Sequence, residues 1–153
     1  MREIGTGSRL AAAVAASGLL LVGLPAVYFL TAYGCGEGED RLAEAMAHET
    51  VLDTAPDGAG RANRYQECDD DDRFVVVGRQ YPHDSSPRTA LRHYRKAAQA
   101  DGWRPGAAAG GGTVPGCFTK SVGGTTAYLV VEGPEKGVLH VEIVADHAES
   151  ERC

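Results

Sequence analysis

The sequence predicts an α+β fold: an N-terminal transmembrane helix, then one helix packed on a mainly antiparallel four-stranded sheet. Three observations carry this expectation. Residues 10–36 contain no charged side chain. Residues 87–101 place one apolar face behind a serine–proline start. Residues 117–145 hold apolar and β-branched runs separated by glycine-marked turns. At 153 residues the chain has room for one ordinary domain and an appendage.

The apolar run 10–33 includes Leu19, Leu20, Leu21, Val22, Leu24, Val27, Tyr28, Phe29 and Leu30. As a helix it reaches roughly 36 Å at about 1.5 Å per residue, enough for a hydrocarbon core of about 30 Å. Pro25 inside it is tolerable in a membrane helix, where neighbours satisfy the freed carbonyl. Arg2 and Arg9 precede the run, and Glu37, Glu39 and Asp40 follow it. The positive flank stays inside, so the C-terminal part is expected outside the membrane. Three fates are open for residues 1–36. A retained anchor is favoured, because the apolar stretch exceeds the roughly 7–15 residues of a cleavable signal. The second is cleavage with lipidation of Cys35; Gly34 suits the position before it, but Ala32 and Tyr33 fit poorly. The third is ordinary cleavage after Gly34.

Residues 37–52 read as a short helix, with Leu42, Ala45 and Met46 at a loose helical period, serving as a stalk. Residues 53–64 carry Pro56, Gly58 and Gly60 and read as a loop. Residues 37–64 are thus a helix and linker, and the domain proper is expected over 65–153. Phe74, Val75, Val76 and Val77 mark a buried strand over 74–81. Ser86 is a natural N-cap, and Pro87 at the first helical position sacrifices no hydrogen bond. Ala90, Leu91, Tyr94, Ala97 and Ala98 form the inward face of helix 87–101. Gly102 ends it in a left-handed cap, which lets Trp103 fold back onto the last turn.

The glycine-, alanine- and proline-rich stretch 104–116 reads as a flexible loop. Strands are expected over 117–122 and 125–132, joined by Gly123-Gly124, because both central positions of a type I′ turn need positive φ. Pro134 and Gly137 mark the next turn. In the last strand, 138–145, Leu139, Val141 and Ile143 alternate with His140 and Glu142. The tail from His147 is polar. The expected core is Leu91, Tyr94, Trp103, Val75, Val77, Leu129, Val131, Val141 and Ile143.

Cys68, the stretch Leu91-Arg92-His93-Tyr94, Asp101-Gly102-Trp103, Cys117-Phe118-Thr119-Lys120 and Thr126-Ala127-Tyr128-Leu129 resemble small membrane-anchored or lipoprotein-like exported bacterial proteins. The resemblance covers about residues 68–146. It implies an exported α+β module and no particular activity.

Four cysteines in an exported chain point to disulfides. Cys68 precedes the first expected strand and Cys117 opens the second. If a helical crossover makes those strands parallel, both cysteines lie at one end of the sheet, which favours a Cys68–Cys117 bond. The rival is Cys68–Cys153; Cys35 pairing with Cys153 also stays open. No CxxC is present and the histidines are scattered, so zinc is not expected, nor any other metal or cofactor. The run Asp69 to Asp72 lacks the glycine and the later glutamate of a calcium loop and reads as a solvated acidic turn.

Arg88, Arg92, Arg95 and Lys96 share the outer face of helix 87–101 by i, i+4 spacing. They are candidates for contact with anionic headgroups or an acidic partner; the plain alternative is a solvated face neutralised by neighbouring carboxylates. Ser85 and Ser86 read as caps, since no GxSxG surrounds them. His83 and His93 read as surface histidines. The formal net charge of -6 excludes a general affinity for nucleic acid. No nucleophile–base–orienter set is visible, so no catalytic residue is named. The expected function is a non-catalytic extracytoplasmic module with a binding or structural role. Its partners are the membrane, through the N-terminal helix, and an envelope protein or small ligand. The alternatives are a small-ligand or peptide binder, with a pocket between the helix and residues 106–116, and a hydrolase using His and Asp.

Overall fold

The computed structural model describes residues 34–107 and 112–148, together with residues 23 and 25–27. The chain divides into two units, Met1–Gly34 and Cys35–Cys153. In the first, residues 25–27 are helical. The expected transmembrane run 10–33 otherwise lies outside the described residues, as do 108–111 of the glycine-rich stretch and Cys153. Among the described residues no helix is long and apolar enough to cross a membrane.

The second unit runs α1 (Glu37–Ala47), a 3-10 turn (Thr50–Asp53), β1 (Asn63–Cys68), β2 (Val75–Pro82), α2 (Pro87–Ala100), β3 (Arg104–Ala107), β4 (Thr113–Val122), β5 (Thr125–Glu135) and β6 (Val138–Ala145). The strands form one sheet in the order β1-β2-β6-β5-β4-β3, antiparallel throughout. The class is α+β, but the expected four-stranded sheet is corrected to six strands. The two additional strands close its edges. β1 overlaps the expected linker because its residues, NRYQEC, are mostly polar and carry no apolar alternation, and all but Tyr65 are exposed. β3 falls in the expected loop because it is only Arg104-Pro105-Gly106-Ala107, and proline and glycine are tolerated in a strand chiefly at an edge or a bulge.

One face of the sheet carries the core. Val75, Val77 and Tyr81 of β2, Leu139, Val141 and Ile143 of β6, Leu129 and Val131 of β5 and Phe118 of β4 are buried there. α2 contributes Ala90, Tyr94 and Ala98, spaced i, i+4, i+8, each at 0% exposure. Its caps form as its sequence dictates: Ser86 Oγ accepts from Thr89 N at 3.3 Å. At the other end Trp103 N donates to Ala98 O at 2.9 Å and Gly102 N to Gln99 O at 3.3 Å, with Gly102 at φ 83°. This paired closure folds Trp103 back into the core, where it is 2% exposed. Leu91 departs from the expected core: it is only half-buried, on the flank of the helix.

The expected stalk is instead part of the domain. Leu42, Ala43 and Met46 of α1 and Val51 and Leu52 of the 3-10 turn are buried in the same cluster. Four polar contacts hold these segments. Tyr81 Oη donates to Leu52 O at 2.6 Å, and Val51 N donates to Asp101 Oδ2 at 3.1 Å. Glu39, 3% exposed, accepts from Gly36 N at 2.9 Å and pairs with Arg73 at 2.8 Å. Burial pushes the Glu39 carboxyl up, but the backbone N–H donors and Arg73 outweigh it and hold the group below the usual carboxylate range.

The expected Cys68–Cys117 bond is wrong. Cys68 is bonded to Cys35, with Cα atoms 6.3 Å apart. Cys117 is also disulfide-bonded, but not to Cys68. The reason is topological. β2 and β4 are antiparallel in direction, because α2 returns to β3 rather than to β4. β1 and β4 are separated by β2, β6 and β5, which at about 4.8 Å per step sets them roughly 19 Å apart, far beyond the roughly 7 Å limit for a disulfide. The same finding corrects the lipidation expectation: the Cys35 sulfur that a thioether would use is taken by Cys68.

A row across the sheet's other face shows why Gly78 is glycine. Tyr65, Gly78 and Glu142 are direct cross-strand partners, so they share that face. The Tyr65 ring lies over Gly78, where a Cβ would meet its Cζ at 2.2 Å, and Tyr65 Oη donates to Glu142 Oε2 at 2.7 Å. Burial first, then this bond to a carboxylate, raise the Tyr65 phenol well above the ordinary tyrosine range.

Two outcomes are expected. Non-reducing peptide mapping should return Cys35 linked to Cys68, and Cys117 in a disulfide with neither of them; a Cys68–Cys117 peptide would overturn the strand order. Gly78→Ala should displace the Tyr65 ring, so that alkaline spectrophotometric titration shows one more tyrosine ionising in the ordinary range near about pH 10 than in the parent. An unchanged titration would contradict the assigned row.

Candidate functional site: the arginine flank of helix α2

Helical geometry decides what α2 presents outward. At about 100° per residue, with Tyr94 taken as the inward direction, Leu91 lies about 60° round the helix and Arg95, Arg88 and Arg92 between about 100° and 160°. The three arginines thus form one flank, with Leu91 between them and the sheet. Lys96 lies about 200° round, further toward the far side.

Arg88, Arg92 and Arg95 are exposed, and Leu91 is half-buried. Together these four residues line an open depression of about 470 Å³. Behind it lies Gly116 of β4, at φ 86°, where a Cβ would meet Val131 O at 2.6 Å and only touch the Leu91 methyl at 3.7 Å. The depression is lined by α2 residues alone; of the expected pocket between the helix and residues 106–116, residues 108–111 lie outside the described residues.

The charges of this flank are unmatched. The six ion pairs among the described residues join Arg41–Glu37, Arg64–Asp53, Arg73–Glu39, Arg79–Asp53, Lys120–Glu49 and Lys120–Asp101. Arg88, Arg92, Arg95 and Lys96 are in none of them. Glu49, Asp53 and Asp101 are engaged by Lys120, Arg64 and Arg79, and Asp84, four residues before Arg88, is in none of these ion pairs, so three guanidinium groups stand together without a salt bridge among the described residues, in a chain of net charge -6.

Two other polar clusters are structural. Arg79, 4% exposed, donates from Nε and Nη2 to Asp53 Oδ1 at 3.2 Å and from Nη1 to Gly78 O at 3.0 Å. Arg64 donates to the same Asp53 oxygen at 3.1 Å. The signal for Arg79 was present in the sequence: it has the same parity along β2 as Val75, Val77 and Tyr81, which places it on the core face. Lys120 pairs with Glu49, lies 3.8 Å from Asp101 and sits 5.8 Å from the Trp103 ring centre. These pairs pin the 3-10 turn and α1 to the sheet and to the end of α2.

The remaining candidates resolve simply. His83 is buried at 6% exposure, not superficial, and its Nε2 lies 2.6 Å from Ser85 Oγ. His93 Nε2 lies 3.3 Å from Thr54 O, and its ring meets Tyr94 edge-on. Asp69 Oδ1 accepts from Asp71 N and Asp72 N, and Asp70 Oδ1 accepts from Cys35 N, so the aspartate run is a self-capped acidic turn. Among the described residues no group of three His, Cys, Asp or Glu side chains could hold a metal ion. Compared with protein-family models, curated proteins and solved structures, the chain finds no match.

Proposed function

We propose that this chain is a non-catalytic extracytoplasmic module, held at the membrane by its apolar N-terminal segment, that binds an anionic partner through Arg88, Arg92 and Arg95. The observation that carries the reading is the unmatched arginine flank of α2. An exposed guanidinium group presents five N–H donors in a planar fork suited to carboxylate or phosphate oxygens. Three of them without internal carboxylates are open to an external one.

The proposed compartment rests on separate support. The Cys35–Cys68 bond suits an oxidising space. The uncharged run 10–33, with Arg2 and Arg9 before it and Glu37, Glu39 and Asp40 after it, suits a chain whose C-terminal part is exported.

Retention on a phosphate-bearing cation exchanger tests the binding reading, because a chain of net charge -6 has no bulk reason to bind it. The detergent-solubilised full chain should be retained at low salt, and Arg92→Gln/Arg95→Gln should elute earlier while melting at the parent temperature. A parent that flows through, or a variant retained equally, would contradict the reading.

A further inference from the structure

We infer that the anionic partner is an extended, hydrophilic polyphosphate chain lying along α2, rather than the surface of a bilayer. This rests on the arginine flank being the binding face and specifies what it binds.

The first argument is shape. Arg88, Arg92 and Arg95 advance along the helix by four and then three residues, about 6 Å and 4.5 Å at 1.5 Å per residue. The charges form a line of about 10 Å, not a ring around a closed cavity. The depression beneath them is open and has Leu91 at its floor. A line of guanidinium groups at this spacing matches every second phosphate of an extended polyphosphate, each taken by one fork. A single small anion would engage one or two of them.

The second argument is the absence of an apolar rim. A helix that rests in a bilayer interface needs Trp, Phe or Leu side chains directed into the acyl boundary beside its cations. Among the described residues the only exposed large hydrophobic side chain is Val27, which is not in this domain. Leu91 lies half-buried at the floor of the depression, not as an exposed projection. Pro87, Arg88, Arg92, Arg95 and Gln99 are the exposed α2 residues on its side of the helix. Such a face gains from polar anions and has nothing to insert.

The third argument is the placement of like charge. The residues that open the domain are acidic: Glu37 and Asp40 are exposed on α1, and the Asp69 to Asp72 turn is tied to Cys35 through Asp70 and the Cys35–Cys68 bond. α2 starts after the opposite end of β2, so Arg88 lies at the other end of the sheet from Val75 and its partner Cys68. Arg88 and the acidic entry lie at opposite ends of the sheet, and an anionic headgroup layer approaching the entry meets repulsion.

The test is titration of the full chain in detergent micelles with short-chain inorganic polyphosphate, with inorganic phosphate, and, after reconstitution, with vesicles containing anionic phospholipid as competitor. Polyphosphate should bind and inorganic phosphate should bind at least tenfold more weakly. Three phosphates neutralised at the single-strand slope should weaken polyphosphate binding roughly 20-fold between about 50 and 200 mM salt. Arg88→Gln/Arg92→Gln/Arg95→Gln should abolish it, while Arg64→Gln, which removes a cation from another face, should not. Anionic vesicles should not compete. Competition by vesicles, or equal affinity for phosphate and polyphosphate, overturns the polyanion inference but leaves an arginine-dependent anion site standing. Binding undiminished in the triple variant overturns both.

Discussion

The seating of Tyr94 fixes the orientation of everything that faces outward on α2. Tyr94 is the largest fully buried side chain among the described residues, flanked one turn either way by Ala90 and Ala98. The small residues let the helix approach the sheet closely, and the large ring fills the space between them. Its burial drives the phenol pKa up, because a phenolate has no solvent there. The hydroxyl itself forms no well-made hydrogen bond, so apolar packing rather than a polar partner holds the ring. Once those three positions point inward, the rotation of α2 is settled and Arg88, Arg92 and Arg95 have only the solvent side left.

A second constraint is the path of the chain after α2. The Gly102 cap turns Trp103 inward and sends the chain into β3 at the far edge of the sheet. That edge placement is what separates Cys117 from Cys68. It also leaves Cys68 beside the start of α1, where Cys35 closes the bond. The Cys35–Cys68 bond, the Glu39–Arg73 pair and the Val51–Asp101 hydrogen bond together make α1 and the 3-10 turn part of the fold instead of a tether.

Legibility in the sequence followed how local each determinant is. α2 was readable because Ser86, Pro87 and Gly102 encode its ends within the segment. β6 was readable because its alternation is complete, and the Gly123-Gly124 turn because both residues take positive φ, 59° and 86°. The edge strands were not. β1 is mostly exposed and has no burial period, and its pairing depends on Tyr65 crossing Gly78 to reach Glu142, a contact between residues 77 apart. The disulfide pattern depends on strand order and so could not be read from spacing. For the arginine flank, the spacing was visible in the sequence, but its lack of internal partners was not. Only the fold shows that Glu39, Glu49, Asp53 and Asp101 are taken by Arg73, Lys120, Arg64 and Arg79.

The division between structural and available cations is therefore the centre of the account, and arginine side-chain NMR measures it most directly. Nε–Hε resonances, assigned by single substitution, can be followed as polyphosphate is added to the full chain. Shifts are expected for Arg88, Arg92 and Arg95 and a stationary signal for Arg79, whose Nε, Nη1 and Nη2 are already engaged. Shifts confined to Arg64 and Arg79, with the α2 arginines unmoved, would contradict that division.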